Sequence, residues 1–295
     1  MENYKIISDT SCDILPEYVE KYDIDLIPYS ISFDKVNYKK DMLEISTDEF
    51  YAEMLEKDVM AKTSLPAVTD YLDKFVEYAK KGIGVICFTL STYLSGSYQA
   101  AVNAKEMLLE DYPNAVIEVI DSTMATAGQA LVVLQCAKMR EAGYSFAKNV
   151  KRIKELLPTA RIEFTVEDLK YLQMGGRIGK AKALAGSVLN LKPMLEFKEG
   201  EVHSAGLARG KKKSFDKIIE ATKNIFEERG ESFDDYDFVT GYGVSYDEVV
   251  KLTGMLEKLI GKAVEYPVFR IGVTVGNYTG PRVFGLGFIK KFDAQ

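Results

Sequence analysis

A strand, a hydroxyl-rich loop and a helix follow one another directly in this chain, and this unit constrains the fold more than any other feature. Residues 83–90 form a short apolar run, typical of a strand buried in a parallel sheet. Residues 98–109 carry apolar side chains at helical spacing. Between them, residues 91–97 supply hydroxyl groups beside Gly96, whose missing side chain lets a ligand approach the backbone. Because the positive end of the helix dipole points at this loop, the unit predicts a site for a carboxylate.

A second predicted helix start also carries hydroxyl groups. Thr63 and Ser64 precede Pro66, which suits the first turn of a helix predicted over residues 67–80. At both predicted helix starts the hydroxyl groups could instead only cap the helix, because serine and threonine also cap helices without binding a ligand.

The order of the predicted elements favours an α/β fold with two domains. At 295 residues the chain is long for a single core. Strands and helices alternate in the first half as in a doubly wound, mainly parallel sheet, whereas glycine and hairpin patterns predominate from residue 161 onwards. We therefore expect an N-terminal α/β domain over residues 1–157 and a C-terminal α/β domain with a mixed sheet over residues 158–295.

Several local predictions concern the surroundings of this site. Residues 24–33 alternate between apolar and polar as one strand would, and residues 264–271 also predict a strand. Residues 276–282 predict a turn-rich loop, and a hairpin is expected to turn at Glu199 and Gly200.

Composition excludes several classes of function. A net charge of -6 argues against nucleic acid as a partner, because phosphate contacts need a basic face. No apolar run is long enough to cross a bilayer, and charged residues interrupt the first twenty positions, which excludes a signal peptide. We expect a cytoplasmic protein without stable membrane insertion. Cys12, Cys87 and Cys136 are widely spaced, so they predict reduced thiols and no metal site.

The glycine-rich basic loop over residues 175–180 differs from a phosphate-binding P-loop. Gly175 and Gly179 are one residue too close, and Ala181 stands where serine or threonine would bind magnesium. Arg177 in this loop, and Arg209 ahead of a run of lysines, are either solvated surface charges or contacts for a partner.

Several motifs in a fixed order resemble those of the DegV family, whose members include the fatty-acid-binding subunit of the bacterial fatty-acid kinase. The resemblance covers nearly the whole chain: SDTSCD at residues 8–13, TSLP at 63–66, STYLSGS at 91–97, DS at 121–122, YL at 171–172, GGRI at 175–178, KP at 192–193, Arg209, and GP at 280–281.

The resemblance implies that one long-chain fatty acid is buried between two α/β domains, with no cofactor. Thr63, Ser95 and Gly96 would hold its carboxylate, and a separate kinase subunit would phosphorylate that carboxylate to an acyl phosphate. This chain would then bind and present the substrate and catalyse nothing alone. If Arg177 and Arg209 are partner contacts, we expect them near the opening, where they could contact an acidic surface of the kinase.

The chain departs from the family pattern near the end of the sequence. Tyr278 stands where many relatives carry histidine, Arg282 replaces a glycine, and Leu65 replaces a polar residue. A phenol can still donate a hydrogen bond, so Ser64, Tyr278 and Thr279 remain candidate neighbours of the head group.

Two other functions compete with this hypothesis. The chain could bind another acidic lipid without a kinase partner. Alternatively, Ser95 could be the nucleophile of a serine esterase, although the loop lacks the usual Gly-x-Ser-x-Gly elbow and His203, the single histidine, has no acidic partner recognisable by motif.

Overall fold

The computed structural model describes residues 4–57, 59–184 and 191–294. Its strands are β1 (Tyr4–Asp9), β2 (Ile24–Ile27), β3 (Ser30–Ser32), β4 (Lys39–Lys40), β5 (Lys62–Ser64), β6 (Gly84–Thr89), β7 (Ile117–Asp121), β8 (Arg161–Thr165), β9 (Leu191–Lys198), β10 (Glu201–Arg209), β11 (Tyr236–Tyr242), β12 (Phe269–Arg270) and β13 (Phe284–Lys290). Its helices are α1 (Pro16–Lys21), α2 (Thr47–Lys57), α3 (Val68–Ala79), α4 (Ser97–Asp111), α5 (Thr126–Glu141), α6 (Phe146–Leu156), α7 (Lys170–Met174), α8 (Gly210–Arg229), α9 (Tyr246–Ile260) and α10 (Val273–Thr279).

The first half of the chain forms a parallel sheet with helices on both faces. Its strand order is β2-β1-β6-β7, and every neighbouring pair is parallel. Along β6, Val85 and Cys87 face the apolar cluster with α3 and α4, whereas Ile86 and Phe88 face the cluster that contains α5. This arrangement explains why β6 is apolar from Val85 to Phe88, because a strand covered on both sides has no polar face.

The second half forms a mixed sheet in the order β10-β9-β8-β13-β11-β12. Within this sheet, β11 and β12 are the only described neighbours that pair in parallel. Helices α8 and α9 cover its outer face through an aromatic cluster that includes Phe226, Phe238 and Phe288. The α/β class, with one parallel and one mixed sheet, is as predicted.

Helix α5 lies between the two sheets and belongs to both cores. Nearly all of its residues are buried, among them Leu131, Val132 and Leu134. The same apolar cluster includes Ile86 of the first sheet and Val239 of the second. The halves therefore share a continuous core, and the domain division at residues 157 and 158 stays a prediction.

Residues 24–33 form two strands in different sheets, so the prediction of a single strand was wrong. β2 belongs to the parallel sheet, whereas β3 pairs with β4 and β5 in a small antiparallel sheet. Pro28 separates β2 from β3, and because proline lacks the amide that a sheet ladder needs, it interrupts the pairing there.

Two other local predictions were wrong in the same region of space. Thr63 and Ser64 lie on β5 and not at a helix start, because Thr63 pairs with Ile31 of β3 and α3 begins only at Val68. The turn-rich loop predicted over residues 276–282 is largely helix α10, which is buried against its neighbours despite weak helix formers.

The strand predicted over residues 264–271 is also wrong for most of its length, because only Phe269 and Arg270 pair with β11. The hairpin at Glu199 and Gly200 is confirmed.

The three cysteines are buried and form no disulfide. Among the described residues, no helix combines the length and apolarity that crossing a membrane would need.

Candidate functional site

A cavity of about 280 Å³ lies between the two sheets, close to the carboxyl end of β6. Its wall is mainly apolar and comes from both halves of the chain, with Leu90 and Leu94 from the first and Ile162, Phe164 and Phe197 from the second. A mostly apolar cavity with a few convergent polar groups is the usual form of a small-molecule site.

Two pairs of hydroxyl groups stand in the wall of this cavity. The phenol of Tyr29 donates to Ser95 Oγ across 2.7 Å. The Oγ1 of Thr63 lies 2.6 Å from the phenol oxygen of Tyr278. Strand β5, helix α10 and the loop after β6 each contribute a group, so only the tertiary fold brings them together.

Gly96 lies beside these hydroxyl groups at the start of α4. It is the N-cap residue of that helix, so the free amides of the first turn and the positive end of the dipole point toward the site. The side chain of Leu65 packs beside Gly96, since a Cβ atom at residue 96 would lie 3.4 Å from the Cδ2 atom of Leu65. These donors suit an acceptor-only group such as a carboxylate.

A positive charge also borders the cavity. The guanidinium of Arg177 donates to the carbonyls of Leu94, at 3.1 Å, and Gly175, at 2.6 Å. Its carbon Cζ lies 5.0 Å from the ring centre of Tyr278, which fits a cation–π contact. Lys62 is a further cationic residue of the wall. Both charges favour an anionic ligand.

A buried carboxyl group supports the loop from behind. Asp9 at the end of β1 accepts from the amide of Leu90 at 2.9 Å and from the side chain of Gln129 at 3.0 Å. Burial raises the pKa of Asp9, although these hydrogen bonds and that from Ser11 oppose the shift. Asp9 therefore joins β1, β6 and α5 and is not a wall residue of the cavity.

The structure brings together most of the residues singled out in the sequence. Six of them line the cavity: Thr63, Ser95, Gly96, Arg177, Tyr278 and Thr279. Ser64 and Arg209 lie outside the wall. Ser64 is exposed, with its hydroxyl 3.3 Å from the carbonyl of Leu65, and Arg209 is exposed at the end of β10. The binding and docking roles of all eight residues stay predictions.

Sequence reasoning missed Tyr29 and most of the apolar wall. Tyr29 follows Pro28 within the segment that was predicted as one continuous strand, so nothing marked its phenol as a site group. The break at Pro28 was the available signal. The apolar wall had no signal, because those residues are indistinguishable from ordinary core in a single sequence.

Comparison with known families identifies the chain. The family model described as "Uncharacterised protein, DegV family" matches residues 3–291. The chain belongs to the DegV family. A DegV domain-containing protein of Clostridium perfringens is 32% identical over 292 residues, which is 99% of this chain and 100% of that protein.

Solved structures of DegV-like proteins share the fold over almost the full length. A stearic acid-binding protein from Eubacterium ventriosum has a TM-score of 0.94 and 38% identity, with 98% of this chain and 99% of that chain covered. A DegV family protein from Thermus thermophilus, described by its fatty acid binding, has a TM-score of 0.86 and 28% identity, with 98% and 99% covered.

Proposed function

We propose that this DegV protein binds one long-chain fatty acid in the cavity between its sheets. The carboxylate lies against Thr63, Ser95 and the amide end of α4 at Gly96, and the acyl chain lies along the apolar wall. The observation that carries this proposal is an apolar cavity whose hydroxyl, amide and cationic groups are donors suited to one anionic head group. The binding of stearic acid by the Eubacterium ventriosum protein supports it.

The proposal includes presentation of the bound carboxylate to a separate kinase subunit. In that reaction the carboxylate oxygen attacks the γ-phosphorus of a nucleoside triphosphate, and an acyl phosphate and a nucleoside diphosphate result. This chain supplies no catalytic group and keeps the carboxylate at a defined place. Arg209, exposed at the end of β10, is the candidate contact for an acidic surface of the kinase.

Mass spectrometry of an organic extract from the purified protein tests the binding step. We expect about one fatty acid per chain, because a ligand buried in an apolar cavity dissociates slowly. The spectrum also gives the chain length. An extract without fatty acid, from a protein that also takes up none when it is added, would contradict the proposal. Recovery of a different acidic lipid would support the alternative of a carrier without a kinase partner.

An esterase is disfavoured by the surroundings of Ser95. Its oxygen accepts from the phenol of Tyr29 and from the amide of Ser97, and no histidine is among these partners in the described part of the chain. His203 lies on β10, outside the residues that line the cavity. A nucleophilic serine needs a base within hydrogen-bond reach. We therefore expect no hydrolysis of nitrophenyl esters above the level of a Ser95→Ala variant.

A further inference from the structure

Tyr29 lies between β2 and β3, directly after Pro28, and hydrogen bonds of its backbone hold it in place. Its backbone amide donates to the Oγ1 atom of Thr10 at 3.1 Å, and its carbonyl accepts from the amide of Asp41 at 2.8 Å. The residue is buried, yet it is part of the cavity wall. Its phenol oxygen therefore occupies a fixed position beside the carboxylate donors.

The hydrogen bonds of Ser95 show what this phenol does. Ser95 Oγ accepts from the phenol of Tyr29 at 2.7 Å and from the amide of Ser97 at 3.2 Å. A serine hydroxyl has two acceptor positions and one proton. With both acceptor positions filled, the proton of Ser95 remains for the ligand.

Tyr29 is suited to remain the donor in this pair. Burial raises the pKa of its phenol well above the ordinary value, although side-chain hydrogen bonds with Ser95 and Ser97 oppose the shift, so the phenol is protonated at neutral pH and has a proton to donate. A donated hydrogen bond also polarises Ser95 and strengthens the next bond in the chain. The reverse direction, with Ser95 donating to the phenol, would leave the carboxylate without that proton.

We propose that Tyr29 is a positioning residue that directs the Ser95 proton toward the ligand and thereby makes the site selective for an ionised carboxylate over an uncharged head group. The inference rests on the proposed function and deepens it. Thr63 and Tyr278 form a second hydroxyl pair in the same wall. Since one of their two protons lies between them, that pair also keeps one proton for the ligand. The site thus offers hydroxyl protons to a group that only accepts.

The test compares stearic acid with stearyl alcohol, which has the same chain but can itself donate a hydrogen bond. We expect Tyr29→Phe to weaken stearate binding by about two- to tenfold and to change stearyl alcohol binding much less. The ratio of the two affinities is the readout, because general loosening of the cavity would lower both.

A double-mutant cycle with Ser95→Ala separates positioning from simple packing. If Tyr29 acts through Ser95, adding Tyr29→Phe to Ser95→Ala changes the affinity ratio no further. Tyr78→Phe is the matched control, because Tyr78 lies outside the cavity wall and donates to Asp25 at 2.7 Å. We expect it to leave the ratio unchanged.

The outcomes distinguish this inference from the proposed function. If the unaltered chain binds no stearate, the proposed function fails and the inference fails with it. A second outcome is that the unaltered chain binds stearate while Tyr29→Phe leaves the ratio of stearate to stearyl alcohol affinity unchanged, or lowers that ratio equally in the presence and absence of Ser95. In either case only the positioning role of Tyr29 is wrong.

Discussion

At the scale of single residues, the candidate site depends on hydroxyl groups that already have partners. Thr63 and Ser95 each contact a tyrosine, so their oxygen atoms are oriented before any ligand enters. Preorganised donors lose little freedom on binding, which favours affinity for an anion. Ser95 has a second role, because it accepts from the amide of Ser97 at the first turn of α4.

Thr63→Ala and Ser95→Ala are each expected to weaken fatty-acid binding by about ten- to a hundredfold. A hydrogen bond to a charged group contributes roughly 1.5 to 3 kcal/mol. Loss of the contact to Ser97 would lower the stability of the Ser95 variant by only about 1 kcal/mol. Isothermal titration and thermal melting of the same samples measure the two effects.

The control for these variants is Thr92→Ala. Thr92 lies in the same loop but donates to Asp121 at 2.7 Å and is not part of the cavity wall. We expect its fatty-acid affinity to match that of the unaltered chain. Unchanged affinity in both the Thr63 and Ser95 variants would contradict the assignment of the carboxylate site.

Asp41 gives a prediction for the pH dependence of stability. The residue is 2% exposed, and burial raises the pKa of its carboxyl group to about 7, against opposing hydrogen bonds from Thr10 and Met42. An unfolded aspartate has a pKa of about 3.9. Between these two values the folded chain keeps a proton that the unfolded chain has lost, so the group lowers stability as pH rises through this window.

Asp41→Asn removes this titration while it keeps a side chain of similar size. We expect the free energy of unfolding of the variant, minus that of the unaltered chain, to rise between roughly pH 4 and pH 7 and to level off above. Urea unfolding at a series of pH values measures the difference, in which the groups that do not interact with Asp41 cancel. A difference that is constant across this range would show that Asp41 does not titrate there.

At the scale of elements, the sequence predicted regular structure well where one apolar pattern dominated. β6 has an apolar run and α4 has helical periodicity, and both were found within two residues of the expected bounds. The predictions failed where tertiary contacts determine the secondary structure. Helix α10 contains β-branched residues and Gly276, and it is helical because it is buried against Tyr51, whose Oη atom would lie 2.4 Å from a Cβ atom at residue 276.

The same difference separates the residues of the candidate site that the sequence predicted from those that it did not. Ser95 and Gly96 could be located because a strand, a loop and a helix in sequence define their surroundings. Thr63 was found for the wrong reason, since its strand is held by pairing with β3. Tyr29 was missed, because Pro28 marks only the end of a strand and the contact with Ser95 joins residues 66 positions apart in the chain.

The contact between α7 and α10 gives a prediction at this scale. Gly175 ends α7 with an ordinary φ of -80°, so alanine is allowed by the backbone. A Cβ atom there would lie 2.2 Å from Cδ1 of Tyr278, so the ring must move. We expect Gly175→Ala to cost about 1 to 3 kcal/mol of stability. It should also weaken fatty-acid binding, because the moved ring loses its contact with Thr63.

Gly254→Ala is the matched control for this substitution. Gly254 lies within α9, and no atom stands within 4 Å of the position of an added Cβ atom. Alanine there should raise stability by about 0.5 to 1 kcal/mol, because glycine is unfavourable within a helix. Chemical denaturation and lipid titration of both variants give the comparison. Normal lipid affinity in Gly175→Ala would show that the position of the Tyr278 ring is not needed for binding.

At the scale of the whole molecule, the cavity wall joins the two halves of the chain. The hairpin of β9 and β10 reaches the first half through Gly200, whose carbonyl accepts from Ser91 Oγ at 2.6 Å. Arg177 also contacts the first half, because its guanidinium donates to the carbonyl of Leu94. Both contacts lie on the loop that also carries Ser95, so any ligand in the cavity adds to the same interface. Arg209, in contrast, is exposed and is not part of this wall.

This difference separates the two arginines that the sequence grouped as candidates for partner docking. Arg177→Glu places a carboxylate in the wall of the proposed anion site and leaves the carbonyls of Leu94 and Gly175 without their donor. We expect it to lower fatty-acid affinity by about tenfold or more, with or without a kinase. Arg209→Glu should leave fatty-acid affinity unchanged, because the residue does not line the cavity.

Phosphorylation by the proposed kinase subunit then tests the role of Arg209. If its charge contacts an acidic kinase surface, Arg209→Glu slows acyl-phosphate formation from the fully loaded protein, and the defect shrinks as salt is added because exposed charges are screened. Lys223→Glu, at a half-exposed lysine of α8, is the control for a general change in net charge. Equal rates for the Arg209 and Lys223 variants at low salt would place the docking surface elsewhere. A loss of lipid from Arg209→Glu would contradict the separation of the two arginines.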